Sequence, residues 1–164
     1  MSSSLFYSIL IRNFPFQPTT KQNIFFQQIA EFITNTNDNE IFVLKGYAGT
    51  GKTTVISTIV NNLVEINKKY VLLAPTGRAA KVIANYSHKP AFTIHKKIYF
   101  PKKNSGGGVS FTMQQNKHKN TFFIVDEASM ISDTNSESKL YENGSLLDDL
   151  ISYIYSGTNC KMIL

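Results

Sequence analysis

Residues 46–53 read GYAGTGKT, and this stretch decides how the rest of the chain is interpreted. It fits the pattern G-x-x-x-x-G-K-[ST] at every fixed position. The glycines let the backbone curl so that several N–H groups point inward at an anion. A helix that begins directly after the loop adds its positive end. The sequence therefore predicts a loop that wraps its backbone around phosphate groups.

The flanks of the loop support this interpretation. Residues 40–45 (EIFVLK) form a short apolar run rich in β-formers, which predicts a strand buried on both faces. Across 53–67 the apolar residues recur at helical spacing and form one broad face. They are Val55, Ile56, Ile59, Val60, Leu63 and Val64. The alternative is an ordinary glycine-rich turn, but a strand before the loop and a helix after it are the context that phosphate binding requires.

The pattern assigns a role to each position of the loop. Lys52 is expected to reach the β and γ phosphates, and the hydroxyl of Thr53 is expected to hold Mg²⁺. The full set of predicted nucleotide contacts in the loop and the first helical turn is Gly46, Ala48, Gly49, Thr50, Gly51, Lys52, Thr53 and Thr54. A nucleoside triphosphate with Mg²⁺ is therefore the predicted ligand.

A second chemical element follows the apolar run at 121–125, which predicts another buried strand. Asp126 and Glu127 stand at its carboxyl end. Because Mg²⁺ keeps several of its waters, one hydroxyl and one carboxylate suffice to hold it. Asp126 is therefore the predicted metal partner of Thr53, and Glu127 the predicted general base that activates water. The alternative is an acidic pair that is solvated or that caps the next helix.

The remaining periodicity predicts an α/β protein, a three-layer parallel sheet with helices on both faces. The predicted helices cover about 19–34, 53–67, 77–85 and 146–156, with a short helical turn after Thr93; the predicted strands cover 40–45, 70–74, 121–125 and 161–164. In such a sheet ligands bind at the carboxyl ends of the strands. Lys45, Ala74 and Asp126 all fall at such ends.

The domain organisation is simple. Residues 1–18 are interpreted as an N-terminal lead and 19–164 as one ATPase lobe. Residues 101–120 are polar and glycine-rich, and predict an exposed loop or hairpin insertion, with strand character at 109–113. Because the chain ends inside a predicted core strand, we expect it to be a fragment of a longer protein.

Composition narrows the possible partners. The 164 residues suffice for one domain, and a net charge of +6 suits an acidic polymer such as nucleic acid. The single cysteine, Cys160, cannot form an internal disulfide, which fits a reducing, cytoplasmic setting. No apolar run approaches the length of a membrane span, so we expect no membrane partner.

Taken together, these motifs resemble those of superfamily 1 DNA helicases of the RecD-like branch. The resemblance covers most of residues 17–164. Its segments, in order, are PTTKQ at 18–22, GYAGTGKT at 46–53, APTGRAAK at 74–81, TIH at 93–95 and VDEASM at 125–130. It implies the N-terminal RecA-like lobe of a motor that uses ATP and Mg²⁺ and moves on single-stranded DNA.

The resemblance also implies roles for residues outside the phosphate loop. Gln22 looks like the glutamine that recognises adenine, although Thr19 and Gln22 also fit a capping box. The positions that match strand-gripping motifs are Pro75, Thr76, Arg78, Lys81, Thr93 and His95. The alternatives are a solvated helix face for Arg78 and Lys81, and local packing for His95.

Helicases of this kind need a second RecA-like lobe, which supplies arginine fingers and which this sequence lacks. Since such a finger raises the rate by roughly 10³–10⁵, we expect the isolated chain to bind nucleotide weakly and to hydrolyse it very slowly. The main alternative is a nucleotide-gated nucleic-acid-binding module without turnover. A small-molecule kinase is less well supported, because the sequence shows no arginine-rich lid.

Overall fold

The computed structural model describes residues 1–37, 40–47, 49–103, 109–131 and 145–164. The helices in these ranges are α1 (Ser3–Asn13), α2 (Thr20–Thr34), α3 (Lys52–Glu65), α4 (Gly77–Ser87), α5 (Ile94–Ile98) and α6 (Leu146–Tyr155), with a 3-10 turn at Ala128–Met130. The strands are β1 (Ile41–Phe42), β2 (Lys69–Ala74), β3 (Ala91–Thr93), β4 (Tyr99–Lys103), β5 (Val109–Met113), β6 (Thr121–Val125) and β7 (Lys161–Ile163).

Five of these strands form one parallel sheet in the order β1-β7-β6-β2-β3. Successive side chains of a strand point to opposite faces, and both faces of the sheet centre are covered. In β6, Phe122 and Ile124 pack on one face while Phe123 and Val125 pack on the other. Helices α1 to α4 cover the first face, and α5 and α6 cover the second. The predicted three-layer α/β fold is confirmed.

Residues 1–18, interpreted from the sequence as a lead, contain helix α1, which packs on the first face of the sheet. Phe6 and Leu10, four residues apart, are fully buried in the core of the first face. The hydroxyl of Ser2 caps the helix by accepting from the backbone N–H of Leu5. Tyr7 donates from its hydroxyl to Asn23 Oδ1 at 2.6 Å, which ties α1 to α2. The sequence-based interpretation of this segment missed a helix of the first layer.

Strand β1 differs from its prediction. Phe42 and Leu44 pack on the core of the first face, but Ile41 is 40% exposed and Val43 is 52% exposed on the other side. The prediction of burial on both faces was wrong because β1 ends the sheet order. The core of the second face includes no residue of β1 in the part of the chain that is described.

A two-stranded antiparallel hairpin of β4 and β5 stands apart from the main sheet, with Tyr99 paired to Met113. Its tip, 104–108, lies outside the described residues. The hydroxyl of Tyr99 donates to the buried carboxylate of Asp149 on α6 at 2.5 Å, so the base of the hairpin is fixed to the second layer. Among the described helices, none has both the length and the apolar character that a bilayer crossing requires.

Candidate nucleotide-binding site

The phosphate loop joins the end of β1 to the start of α3, as its motif requires. Gly49 and Gly51 have φ angles of +77° and +83°, in the left-handed region that glycine adopts at little cost. A Cβ added to Gly46 would lie 2.8 Å from Thr50 Oγ1, so the loop closes too tightly there for a side chain. Gly49 and Gly51 are therefore favoured by their backbone angles, and Gly46 by its close approach to the side chain of Thr50. Ala48, also predicted to contact nucleotide, lies outside the described residues.

Lys52 folds back over this loop. Its Nζ donates to the carbonyl oxygens of Gly46 at 2.7 Å and Tyr47 at 2.9 Å. Thr50 reinforces the curl, because its hydroxyl donates to the same Tyr47 carbonyl at 2.8 Å. The ammonium group is thus held at the loop itself, at the first turn of α3, where the positive end of a helix also favours an anion.

Gln22, in the first turn of α2, also bonds to the loop. Its Oε1 accepts from the backbone N–H of Thr19 at 2.9 Å, and the Thr19 hydroxyl accepts from Gln22 N, which completes a capping box. Its Nε2 donates to the carbonyl oxygen of Thr50 at 3.2 Å. The capping alternative is therefore realised, and Gln22 also reaches the phosphate loop. An amide has two N–H groups and two carbonyl lone pairs, so these bonds use half of its capacity.

The strand register places Asp126 at the same edge of the sheet as the loop. Phe42 and Ile124 both pair with Ile163 of β7, so Leu44 and Asp126, each two residues further on, lie level with one another. Two strand spacings separate them, about 10 Å. The backbone N–H of Asp126 donates to the Leu73 carbonyl at 3.0 Å, which fixes the turn after β6.

The carboxylate of Asp126 is only 6% exposed. Burial raises its pKa, and the neighbouring charge of Glu127 also raises it; the Glu127 backbone N–H and the charge of Lys52 lower it. A buried carboxylate of this kind gains from a cation, which is what a metal ligand requires.

Thr53 lies half-buried in the first turn of α3, beside Lys52. Within the described ranges, no three His, Cys, Asp or Glu side chains form a metal-binding cluster. A Mg²⁺ ion at this edge would therefore rely on one hydroxyl, one carboxylate, phosphate oxygens and water, which is how Mg²⁺ is commonly held beside a nucleotide. The available donors fit that ion.

Glu127 has an unusual backbone. Its φ of 57° and ψ of 36° lie in the left-handed region, which is uncommon for a glutamate and costs energy. Its side chain is exposed and makes no capping bond to the 3-10 turn that follows, so the helix-capping alternative is not realised. Backbone strain of this kind is concentrated at functional sites.

The predicted strand-contacting segments lie side by side. Ala74 at the end of β2 pairs with Thr93 at the end of β3, so Pro75 and Thr76 emerge next to Thr93 at the carboxyl edge. Both threonines are helix caps: Thr76 accepts from Ala79 N at 3.2 Å and Thr93 from Lys96 N at 3.3 Å. This is the edge of the sheet from which the phosphate loop and Asp126 also emerge.

The basic side chains of this group differ in exposure and packing. Arg78 and Lys81 are exposed on α4. The ring of His95 is half-buried and packs near Tyr99 and Phe111, with centroid separations of 5.8 Å and 5.7 Å. The structure thus shows the local packing that was the alternative for His95, and its contact with nucleic acid stays a prediction.

A cavity of about 840 Å³ opens beside the phosphate loop, between the start of α2 and the end of β1. Gln22, Lys52 and Thr54 line it together with the aromatic rings of Phe14 and Phe16. Sequence reasoning missed these two rings. The available signal was their position on either side of Pro15, directly before the segment that contains Gln22.

A glycine loop with its lysine between a parallel strand and a helix, together with a buried aspartate at the end of a nearby strand, defines the class of P-loop nucleoside triphosphatases. Residues 28–143 match the protein family described as an AAA domain. The match includes more than half of the chain, which therefore belongs to this family, a helicase-like group of P-loop nucleoside triphosphatases.

Three curated relatives are similar to parts of the chain. An uncharacterised protein of Acanthamoeba polyphaga mimivirus is 35% identical over 69% of this chain and 27% of its own length. An uncharacterised protein of Methanocaldococcus jannaschii is 34% identical over 62% of this chain and 10% of its own. The RecBCD enzyme subunit RecD of Buchnera aphidicola is 33% identical over 64% of this chain and 20% of its own. The chain thus spans between a tenth and about a quarter of these relatives.

Proposed function

We propose that this chain is the ATPase lobe of an ATP-dependent DNA helicase similar to RecD, and that it couples hydrolysis to movement along single-stranded DNA. The observation that carries the proposal is the strand register, which brings Asp126 to the same carboxyl edge of the sheet as the phosphate loop that Lys52 contacts. The similarity to a RecD subunit supports the choice among P-loop enzymes.

In this proposal the backbone N–H groups of 46–51 and the ammonium of Lys52 bind the triphosphate. Gln22 uses its second amide N–H and its second carbonyl lone pair to contact the edge of adenine, while its other bonds keep it fixed to Thr19 and Thr50. The capping box then has a functional use, because it orients the amide before nucleotide arrives.

Thr53 and Asp126 would hold Mg²⁺, which when bound neutralises charge on the phosphate oxygens. The exposed carboxylate of Glu127 accepts a proton from the attacking water. The strained turn at Glu127 takes its side chain out of the direction of β6, and its backbone N–H orients Asp126 Oδ1 at 3.0 Å.

Single-stranded DNA would contact the adjacent ends of β2 and β3. Thr76 caps α4, and Arg78 and Lys81 would offer cations for phosphate contacts on the exposed side of this helix. Thr93, at the end of the neighbouring strand β3, and His95, in the first turn of α5, would extend this surface. These segments and the proposed nucleotide site share one edge of the sheet. A movement of the phosphate-binding residues would therefore alter the contacts with single-stranded DNA.

The complete motor is proposed to need a second RecA-like lobe in the same polypeptide. Arginine fingers from such a lobe contribute roughly 10³–10⁵ in rate, and each cycle requires the two lobes to close and reopen. The lobe described here should therefore bind ATP weakly, turn it over barely above background, and fail to unwind duplex DNA.

The test is ATP turnover by this chain with and without single-stranded DNA, for the wild type, Lys52→Ala and Glu127→Gln. Glu127→Gln should keep ATP binding and lose the residual turnover, and Lys52→Ala should lose both. Turnover identical in wild type and Glu127→Gln would favour a nucleotide-gated binding module. Brisk DNA-stimulated turnover by the chain alone would contradict the need for a second lobe.

A further inference from the structure

The cavity beside the phosphate loop has an aromatic wall that the proposed roles leave unused. Phe14, Phe16, Phe25 and Phe42 line it, whereas Asp126 does not. The loop that would hold the triphosphate lines the same cavity, so a nucleoside extending from the loop would enter this apolar space. Binding pockets of this size are typically lined by apolar and aromatic groups with a few polar groups that fix orientation.

Phe16 is the exposed member of a row of three contacting rings, with Phe14 and Phe26. Its ring meets that of Phe14 edge-on, with centroids 6.1 Å apart and planes at 80°. Phe14 is 7% exposed and packs in turn on Phe26, with centroids 5.1 Å apart. Phe16 itself is 67% exposed, although its supporting neighbour is in the core. An exposed ring that lines the cavity and contacts a buried ring of the core is suited to stacking.

The polar side of the cavity is less well equipped to bind a base. Half of the hydrogen-bonding capacity of Gln22 is already used by Thr19 and Thr50. The remaining donor and acceptor can select a base edge but offer little affinity, because each hydrogen bond made in exchange for water contributes modestly. Most of the affinity for the base must then come from the apolar face of the cavity.

We propose that Phe16 is the stacking platform for the base of the bound nucleotide, a binding role that rests on the function proposed above. Because every base has a π-face, stacking is tolerant of base identity. The site should therefore accept nucleoside triphosphates of all four bases through Phe16, with a modest preference for adenine through Gln22.

The test compares ATP with inorganic tripolyphosphate, both titrated calorimetrically in the presence of Mg²⁺. Phe16→Ala should weaken ATP binding roughly ten- to a hundred-fold and leave the affinity for tripolyphosphate unchanged. Phe16→Tyr keeps a ring and should bind ATP as the wild type does. Phe100→Ala is the matched control, since Phe100 is 61% exposed on the hairpin and does not line the cavity.

The outcomes separate this inference from the function on which it rests. Wild-type ATP affinity in Phe16→Ala, or an equal loss for both ligands, would overturn the stacking role. A loss of ATP binding in Tyr47→Ala but not in Phe16→Ala would assign the base to the loop tyrosine instead. If the wild type bound tripolyphosphate as tightly as ATP, the phosphate loop would stand and the base platform would fall. If it bound neither, both proposals would fail.

Discussion

Individual side chains at the candidate site hold the phosphate loop and remain available to a ligand. Lys52 bonds to two loop carbonyls, and Gln22 bonds to a third. Each group is thereby fixed near the position where phosphate or base would bind. Ordering these side chains before binding lowers the entropy that a ligand must overcome.

Gly157, which follows α6, is closely packed against neighbouring side chains. A Cβ there would lie 2.6 Å from Asn116 Nδ2 and 2.9 Å from Cys160 Sγ. Asn116 Nδ2 donates to the carbonyls of Tyr153 and Ile154 at the end of α6, so it cannot move without losing those bonds. We expect Gly157→Ala to lower the free energy of unfolding by about 1–3 kcal/mol, measured by urea denaturation.

Gly77→Ala is the matched control, because nothing lies within 4 Å of a Cβ at that position. Because Gly77 is the first residue of α4 and alanine restricts the unfolded chain, this variant should be neutral or more stable by up to about 1 kcal/mol. Equal stability of the two variants would contradict the packing described for Gly157.

At the residue scale, short motifs sufficed to predict candidate site residues, whose roles stay predictions. Lys52 and Asp126 follow from short patterns whose chemistry is fixed by residue type and spacing. The left-handed backbone of Glu127 could not be predicted, because it depends on how the chain leaves β6. The aromatic pair of Phe14 and Phe16 was missed because its role depends on α2 and β1, which are distant from it in sequence.

At the element scale, periodic segments were the most predictable. The strand at Thr121–Val125 and the helix Leu146–Tyr155 begin where their apolar pattern begins. Strand β3 was missed because three residues carry no period, and its strand character comes from pairing with β2. Burial of β1 was predicted wrongly because apolar composition does not reveal which strand lies at the end of a sheet.

Lys161 joins two elements in a way that sequence does not reveal. It is 4% exposed in β7, and its Nζ donates to the carbonyls of Phe32 and Asn35, both at 3.1 Å, and to the Asn35 side chain. It thus satisfies carbonyls at the end of α2 that have no partner within the helix. We expect Lys161→Met to lower the free energy of unfolding by roughly 1–3 kcal/mol, measured in urea.

Lys117→Met is the control for the loss of a lysine charge, since Lys117 is exposed, and it should be close to neutral. If Lys161→Met were as stable as the wild type, the capping of α2 by this lysine would be energetically unimportant.

At the scale of the whole molecule, the candidate site residues share the carboxyl edge of the sheet. The phosphate loop, Asp126 and the ends of β2 and β3 all emerge there because the strands are parallel. The hairpin of β4 and β5 is fixed to α6 through Tyr99 and Asp149. The fold class could be predicted because strand and helix alternate along the sequence, whereas the order of the strands requires the structure.

Global stability should depend on pH through His118. Burial lowers its pKa, as do the charges of Lys97 and Lys69, and its ring packs edge-on against Phe123 with centroids 5.3 Å apart. As pH falls below the ordinary histidine pKa of about 6.5, the unfolded chain binds the proton first, so stability is lost. We expect the free energy of unfolding of the wild type to decrease from pH 7.5 to pH 5 relative to His118→Gln, which cannot titrate.

The other two histidines, His88 and His95, are present in both proteins, so their contributions cancel in this comparison. A stability difference between wild type and variant that stays constant or moves in favour of the wild type on acidification would show that His118 is not held neutral by the fold.

The central claim is that Lys52, Thr53 and Asp126 bind a nucleoside triphosphate together with Mg²⁺. Calorimetric titration of ATP with and without Mg²⁺ tests it most directly. Lys52→Ala is predicted to lose ATP binding in both conditions, because the loop then lacks its only lysine. Asp126→Asn is predicted to keep metal-free binding and to lose the gain in affinity that Mg²⁺ provides. Wild-type affinity in Lys52→Ala, or a full Mg²⁺ effect in Asp126→Asn, would contradict the proposed site.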